Sequence, residues 1–329
     1  KRKEEEEEEE LTIRTLMNRY TAHIRLAIDA HESHLGDSSS SSFSSSSSSF
    51  SSSSSPPRRL AAFIVEPLVQ GAGGMKLMCP VYLSAVVAEC RRRRIPVIFD
   101  EVFTGLYRLG GASAGALVGL DPDVSCLGKL MTGGAAPLAA TLATERIFNA
   151  FKGDSKLQAL LHGHSFTAYP MGCAAAAASI HFLGDPATNP HLEEKGGFMR
   201  PIWPADVVEK LSKSPAVAGV TALGTLLAVE MKVPELSHSN DKDGDTMRQK
   251  NKTSRGGGGY GSNAAVKVVE ILKHQHKILA RPLGHVAYVM VPPTSRRETA
   301  ERLAIALEDA VERSQSEEGF GNVGEGPVV

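Results

Sequence analysis

The sequence predicts an α/β fold with a mostly parallel sheet, followed by a smaller α+β domain. Continuous apolar runs at residues 61–65, 96–99 and 124–127 have the length and character of strands that are buried on both faces. A helical pattern at residues 80–94 separates the first two runs, as in a right-handed strand–helix–strand unit. Beyond the loop-like residues 185–197, alternating strand patterns are mixed with amphipathic helices, which favours a separate α+β domain.

Length and composition favour a globular protein without nucleic-acid or membrane partners. The chain of 329 residues can bury a large core in one or two domains. Its formal net charge is −1, so no strong field attracts it to nucleic acid, and no apolar run reaches the length of a membrane span. The four cysteines lie far apart without metal-ligand spacing, and we predict no metal site.

The N-terminal part is predicted to contain one helix and one low-complexity segment. Residues 1–10 are a charge run with seven consecutive glutamates, after which apolar residues recur at helical spacing as far as Ile28. This pattern predicts an amphipathic helix with a solvated, charged extension. Residues 37–55 are almost pure serine, which cannot bury enough surface to offset the entropy of ordering, and we expect them to be disordered.

The later elements follow from apolar periodicity and turn residues. Residues 137–148 combine a strand with a short helix, and an alanine-rich helix follows Pro170 as far as about residue 183. The C-terminal part then predicts, in order, a helix at 207–211, two strands within 217–231, a helix at 264–277, a strand pair with its tight turn at 282–284, and a last helix at 298–313.

These elements divide the chain into four segments. Residues 1–59 precede the fold, residues 60–185 belong to a large domain, and residues 186–314 form the smaller domain. The polar segment 237–261 ends in a glycine run and is predicted to be a disordered insert, and residues 315–329 are predicted to be a disordered tail.

Two charged residues follow neighbouring predicted strands. Asp100 ends the strand at 96–99, and Lys129 follows the strand at 124–127 after a glycine. Ligands of open α/β sheets bind at such strand ends, and a lysine with apolar neighbours can act as a nucleophile towards carbonyl groups. Each residue alone has a structural explanation, because aspartate often caps a helix and Gly-Lys often forms a turn. The pair and its spacing favour a catalytic site.

Five motifs occur together in the order and spacing of one enzyme family. They are AAFIVEPLVQGAGGM, IFDEVFTGLYRLG, LGKLMTGG, HGHSFTAYPMGCAAA and ARPLGHVAYVM, and they fall within residues 60–313. Together they resemble the class III aminotransferases, and five ordered motifs are more specific than any single one. The resemblance implies a fold-type-I architecture and pyridoxal 5′-phosphate (PLP) as the cofactor.

The last two motifs are similar to one branch of this family. Enzymes of that branch transfer an amino group from S-adenosylmethionine to 8-amino-7-oxononanoate, which gives 7,8-diaminononanoate for biotin biosynthesis. The resemblance extends to eukaryotic two-function proteins that also carry a dethiobiotin synthetase. It implies these two small-molecule substrates, a homodimer with shared active sites, and a mitochondrial location, with the cytoplasm as the alternative.

The resemblance also assigns roles around the two charged residues. Lys129 is implied to bind PLP covalently and to transfer the proton during the reaction, and Asp100 to pair with the ring nitrogen. Val102 is implied to pack against the face of the ring, although a plain core role fits the sequence equally well. Glu66, which ends the preceding strand, is assigned either to the surroundings of the site or to a turn.

Two further segments are implied to bind the phosphate and the substrate. Gly163, His164 and Ser165 correspond to the segment that closes the phosphate site from the neighbouring subunit, with His164 and Ser165 on the cofactor and Gly163 on the substrate. Thr167 is the alternative hydroxyl donor to Ser165. Arg281 matches the arginine that binds the substrate carboxylate, and a solvated arginine at a hairpin is its alternative explanation.

Two other functions stay open at this point. Relatives that act on ω-amino acids have a glutamate where this chain has Ala72, which favours the biotin branch. A non-catalytic member of the family is the second alternative, which Lys129 and Asp100 oppose. The family's phosphate-binding loop and ring-stacking aromatic do not precede Leu60, and the first residue is Lys1. We therefore expect the chain to be part of a longer product.

Overall fold

A computed structural model of the chain describes residues 2–37, 59–193, 197–233 and 264–316. The predictions of disorder for most of the serine-rich segment, for the 237–261 insert and for most of the C-terminal tail lie outside these residues. In chain order, the first part contains α1 (Arg2–Asp37), β1 (Phe63–Val65), β2 (Val69–Gln70), β3 (Lys76–Leu77), α2 (Pro80–Arg92), β4 (Val97–Asp100), α3 (Ala114–Leu117), β5 (Val124–Leu127), β6 (Ala140–Ala143), α4 (Glu145–Asn149) and α5 (Pro170–Gly184). The second part contains α6 (Ala205–Lys213), β7 (Val217–Leu223), β8 (Leu226–Met231), α7 (Val266–His274), β9 (Arg281–Leu283), β10 (Val286–Met290) and α8 (Arg297–Gln315).

The first sheet is mostly parallel and has the strand order β1–β4–β5–β6. β1, β4 and β5 are parallel neighbours, and β6 pairs with β5 in the antiparallel direction. Leu83 of α2 and Phe99 of β4 are fully buried in the core that joins helix and sheet. The apolar runs therefore predicted the three parallel strands correctly. The prediction that both faces of each strand are buried was wrong, because Ile64 of β1 is 64% exposed and the four residues of β5 are only partly buried.

The N-terminal helix α1 packs against α2. Ile24 of α1 is buried against α2, and Met17, Tyr20 and Ile28 pack partly buried around it. The predicted amphipathic face is therefore confirmed from Met17 onwards, whereas Ile13 at its start is 44% exposed. An ionic cluster reinforces the contact around Glu89, whose side chain is only 1% exposed. Its carboxylate accepts hydrogen bonds from Arg92 at 2.6 Å, from Arg93 at 2.7 Å and from Arg25 of α1 at 2.9 Å. A carboxylate with this many charged donors satisfies its buried oxygens.

The second sheet is antiparallel, with the order β7–β8–β10–β9, and α6, α7 and α8 cover one face. Successive residues of β8 point to opposite faces. Leu227 and Val229 face the helices, whereas Leu226 and Ala228 join a core shared with the first part of the chain. This arrangement confirms the predicted α+β character, while the proposed boundary at residue 186 stays a prediction.

The turn of the last strand pair was predicted at the wrong residues. Arg281 and Pro282 lie in β9, not in a turn, and the turn is formed by Gly284 and His285. Pro282 is tolerated because β9 is an edge strand, where a missing N–H interrupts no ladder on the open side. Gly284 supplies the positive φ angle, 62°, that a two-residue hairpin turn requires.

The second sheet contacts the first part of the chain where Gly224, in the turn between β7 and β8, packs against the segment that follows β4. Gly224 has a φ angle of 54°, and a Cβ atom there would lie 2.3 Å from the carbonyl carbon of Leu109. Only glycine therefore fits this position. Among the residues that the structure describes, no helix has both the length and the apolar character needed to span a bilayer.

Candidate active site

Charged residues stand at the C-terminal ends of three neighbouring parallel strands. Asp100 is the last residue of β4 and the register partner of Cys126 in β5. Lys129 comes three residues after Cys126, just beyond the end of β5. Glu66 directly follows β1, the other neighbour of β4. The structure therefore places the predicted acid and lysine at the edge where α/β sheets bind ligands.

The backbone at Lys129 is strained. Lys129 begins a 3-10 turn and has a φ angle of 43°, in the left-handed region that non-glycine residues rarely adopt. Such a residue costs roughly 1–3 kcal/mol and persists only where its surroundings hold it. Here the Ser179 hydroxyl of α5 donates to the carbonyl oxygen of Leu130 over 2.9 Å. The packing of this turn against α5 therefore directs the lysine side chain.

Val102 lies between Asp100 and the lysine turn. Its backbone N–H donates to Asp100 Oδ1 over 3.1 Å, which orients the carboxylate. A Cβ atom placed on Gly128 would lie 3.4 Å from Val102 Cγ1, so the valine side chain packs against the residue before Lys129. Among the described side chains, the contact of Asp100 is with the Val102 N–H and that of Lys129 is with the Phe103 ring, and no ion pair joins the two charges. The structure thus brings these three predicted residues together and leaves both charges available to a ligand.

Phe103 is a further residue near the lysine that sequence reasoning missed. Lys129 Nζ lies 5.7 Å from the centroid of the Phe103 ring, and Arg108 Cζ lies 5.8 Å from the same centroid. Arg108 donates to the hydroxyl of Thr225 over 3.0 Å, and burial lowers the pKa of its guanidinium to about 10. The aromatic residue within the DEVFTG motif was the only sequence signal, and it did not indicate which side chain it contacts.

The glutamates near the crevice have structural partners. Glu66 Oε2 accepts a hydrogen bond from the N–H of Gly71 over 2.9 Å, which supports the turn role for Glu66. Glu101 is buried, and its carboxylate accepts from the N–H of Ala114 over 2.7 Å, at the start of α3. Burial raises the pKa of the Glu101 carboxyl. Neither glutamate is a candidate for proton transfer in this arrangement.

The segment Gly163–Ser165 lies on an exposed loop before α5. The N–H of His164 donates to Thr167 Oγ1 over 3.0 Å, and the N–H of Phe166 donates to His164 Nδ1 over 3.1 Å. The loop therefore has a defined turn that uses the Thr167 oxygen as an acceptor. Within the described ranges, no hydrogen bond connects Gly163, His164 or Ser165 to Lys129 or Asp100. Their predicted role at the phosphate stays a prediction.

Arg281 lies on the second sheet rather than at the strand ends of the first. It is exposed in β9 and is the register partner of Tyr288, which packs with Phe103 against the core between the two sheets. In the part of the chain that the structure describes, its guanidinium has no ion-pair partner. Also within those residues, no group of histidine, cysteine, aspartate and glutamate side chains could bind a metal ion.

Comparison with known proteins establishes the family. Residues 8–311 match the family model described as aminotransferase class-III. The chain belongs to the class III aminotransferases. This membership confirms the predicted fold-type-I architecture and the predicted PLP-dependent family. The side chains at the strand ends fit that cofactor, because a carboxylate suits a protonated ring nitrogen and a primary amine suits an aldehyde.

Curated relatives of this aminotransferase chain include two-function and single-function proteins. It is 46% identical over 243 residues to the "bifunctional dethiobiotin synthetase/7,8-diamino-pelargonic acid aminotransferase, mitochondrial" of Oryza sativa subsp. japonica, covering 74% of this chain and 27% of the relative. It is 31% identical over 261 residues to the adenosylmethionine-8-amino-7-oxononanoate aminotransferase of Anoxybacillus flavithermus, covering 79% of this chain and 52% of the relative. The chain thus spans about a quarter of the plant relative and about half of the bacterial one.

Solved aminotransferase structures share the fold. An amine transaminase from an uncultivated Pseudomonas species, in a PLP-bound form, superimposes with a TM-score of 0.60 at 27% identity, covering 77% of this chain and 52% of that one. The adenosylmethionine-8-amino-7-oxononanoate aminotransferase of Methanocaldococcus jannaschii gives a TM-score of 0.59 at 27% identity, covering 77% of this chain and 54% of that one.

Proposed function

We propose that this chain carries the cofactor-binding lysine of a PLP-dependent aminotransferase. The observation that supports this most directly is the position of Asp100 and Lys129 at adjacent parallel strand ends with Val102 between them. In this proposal the Lys129 amine binds the aldehyde of PLP covalently and moves a proton between the substrate carbon and C4′ of the cofactor. Asp100 holds the proton on the ring nitrogen, and Val102 packs against the ring. When bound, PLP withdraws electrons from the substrate carbon.

We further propose that the whole protein transfers an amino group from S-adenosylmethionine to 8-amino-7-oxononanoate in biotin biosynthesis. The names of the plant and bacterial relatives support this reaction. In this reaction Arg281 binds the substrate carboxylate, which its exposed guanidinium on a rigid edge strand is suited to do. A mitochondrial location, and a dethiobiotin synthetase in the same protein, are proposed on the names of the plant relatives.

We also propose a homodimer in which each copy completes the site of the other. Gly163, His164 and Ser165 are exposed, so a second copy can reach them, with His164 and Ser165 on the phosphate and Gly163 on the substrate. In a full-length enzyme, mixing a Lys129→Gln variant with a Ser165→Ala variant should restore part of the activity that each lacks alone. No recovery after mixing under conditions that exchange subunits would contradict shared sites.

The covalent step is tested by trapping. A full-length enzyme is incubated with one equivalent of PLP, reduced with borohydride and digested, and the adduct is located by mass spectrometry. We expect the adduct on Lys129 and its loss in Lys129→Gln, whereas Lys156→Gln, which removes an exposed lysine, should leave it unchanged. An adduct on another lysine in the parent chain would overturn the assignment. Amino transfer from S-adenosylmethionine in the full-length enzyme then tests the substrate, and transfer from ω-amino acids alone would contradict it.

A further inference from the structure

Phe103 lies where two cations approach one aromatic ring. Lys129 Nζ is 5.7 Å and Arg108 Cζ is 5.8 Å from its centroid. A cation within about 6 Å of a ring face is attracted by the negative potential of that face. The Lys129 side chain is long and flexible, so an attractive surface at its end narrows the positions that the amine adopts.

The Phe103 ring is itself held by the rest of the molecule. It packs against the core between the two sheets, together with Leu109 and Tyr288. Arg108, the second cation at this ring, has no carboxylate partner among the described residues. Its Nε atom is buried and has no hydrogen-bond acceptor among them. The Thr225 hydroxyl and the Phe103 ring are therefore the main contacts that offset the burial of the Arg108 charge.

Thr225 holds Arg108 by the main chain as well as by the side chain. Thr225 is fully buried, and its N–H and its hydroxyl both approach the carbonyl oxygen of Arg108, at 2.8 and 3.1 Å. The adjacent Gly224 packs so closely on Leu109 that a Cβ atom would overlap it. The second sheet thus fixes the segment that carries Arg108 and Phe103.

We propose that Phe103 is a positioning residue for Lys129, and that Arg108, held by Thr225, fixes the Phe103 ring. The ring face defines the resting position of the Lys129 ammonium group whenever the lysine is not bound covalently. The inference rests on the proposed role of Lys129 in binding PLP. It extends that role by connecting Lys129, through the Phe103 ring and Arg108, to the turn between β7 and β8 of the second sheet.

The test is a spectroscopic signature of the lysine against the ring. In the chain labelled with ¹³C-lysine, the Lys129 methylene signal next to Nζ is assigned by its loss in Lys129→Gln. We expect this signal to be displaced by the ring current of Phe103. In Phe103→Leu, which keeps an apolar side chain without a π face, the signal should move to the position of exposed lysines. Phe103→Tyr should retain the displacement.

Arg108→Met tests the support of the ring by an independent route. It removes the charge and keeps an apolar stem, and we expect a smaller displacement of the Lys129 signal with the other lysines unchanged. Circular dichroism of each variant reports whether it is folded, and Arg108→Met decides the question if Phe103→Leu does not fold. An undisplaced Lys129 signal in the parent chain, or one unaffected by Phe103→Leu, would overturn the proposal. Borohydride trapping of PLP in the parent chain tests the proposed function separately.

Discussion

Asp100 and Cys126 are register partners in adjacent parallel strands, and this pairing sets the distance along the sheet edge between the acid and Lys129. Slipping the register by one residue would turn the Asp100 side chain to the other face of the sheet. The crevice between the two charges is therefore a consequence of the apolar strands beneath it. A large, fully buried side chain such as that of Phe99 fixes the register because it cannot leave the core.

We predict that Asp100→Asn weakens cofactor function without moving the attachment site. The amide keeps the shape of the side chain but cannot hold the ring nitrogen in its protonated form, and losing a charge-assisted hydrogen bond costs about 10- to 100-fold. Single-turnover amino transfer in a full-length enzyme should fall by at least that factor. Asp121→Asn, at an exposed position, is the control. Equal rates in both variants would show that Asp100 does not contact the cofactor.

We predict that Glu89→Gln destabilises the packing of α1 on α2. Removing this buried carboxylate leaves several arginines without their partner, at a cost of roughly 3 kcal/mol in the free energy of unfolding. Urea unfolding near neutral pH measures the difference, and Glu312→Gln, at an exposed position in α8, should change it little. A stability equal to that of the parent chain would mean that the cluster merely offsets its own desolvation.

We also predict that the contribution of Glu89 to the free energy of unfolding depends on pH. The hydrogen bond from Arg92, followed by those from Arg93 and Arg25, holds the pKa of the Glu89 carboxyl well below its ordinary value. The stabilisation is therefore fully present above the ordinary glutamate pKa and is lost as the pH falls towards the lowered one. The difference in unfolding free energy between parent and Glu89→Gln should be constant from neutral pH to mildly acidic pH and shrink below that. A difference that grows on acidification would contradict the assignment.

We predict that Gly224→Ala separates steric overlap from backbone strain. A Cβ atom at Gly224 would lie 2.3 Å from the Leu109 carbonyl carbon, so the hairpin must move away from Arg108. Gly119→Ala is the matched control, because Gly119 also has a positive φ angle but nothing within 4 Å of a Cβ atom. Thermal unfolding should show a loss of about 1 kcal/mol for Gly119→Ala and several times more for Gly224→Ala. Similar losses in both variants would indicate that the contact between Gly224 and Leu109 adjusts easily to a Cβ atom.

Much of the fold could be predicted because it depends on local patterns. The apolar runs around Phe99 and before Lys129 are strands, the first with a fully buried Phe99 and the second partly buried, and the charged residues that follow them mark the edge of the sheet. The helix after Pro80 was predicted for the same reason, since its apolar face and its first proline both lie within one short stretch. Val102 could be placed from the motif because it follows Asp100 so closely.

Other parts of the site depend on contacts between distant residues. Phe103 meets Lys129 between the segments that follow β4 and β5, and Arg108 meets Thr225 where the second sheet packs on the first, so no periodicity in the chain indicates either contact. The turn before β10 was misplaced because Pro282 is a turn signal in sequence, whereas strand pairing with Ala287 decides its structure.

We predict that Arg281 determines the use of the keto acid. Its backbone is held in β9 by pairing with Tyr288, so the guanidinium leaves a rigid edge strand, and no described side chain neutralises it. The proposed acceptor carries a carboxylate far from its reacting carbon, which a bidentate arginine contact can hold. Arg281→Ala should weaken this binding by about 30- to 1000-fold, and Arg281→Lys should recover part of the loss because lysine lacks the planar fork.

The two half-reactions of a full-length enzyme distinguish this role from a general one. The loss in Arg281→Ala should fall on the reaction of 8-amino-7-oxononanoate in single-turnover experiments, while amino transfer from S-adenosylmethionine to the cofactor should change less. Arg296→Ala, which removes an exposed arginine before α8, is the control and should leave both steps intact. If Arg281→Ala and Arg281→Lys process the keto acid as fast as the parent does, Arg281 is a solvated edge-strand residue, and the substrate carboxylate must be bound elsewhere.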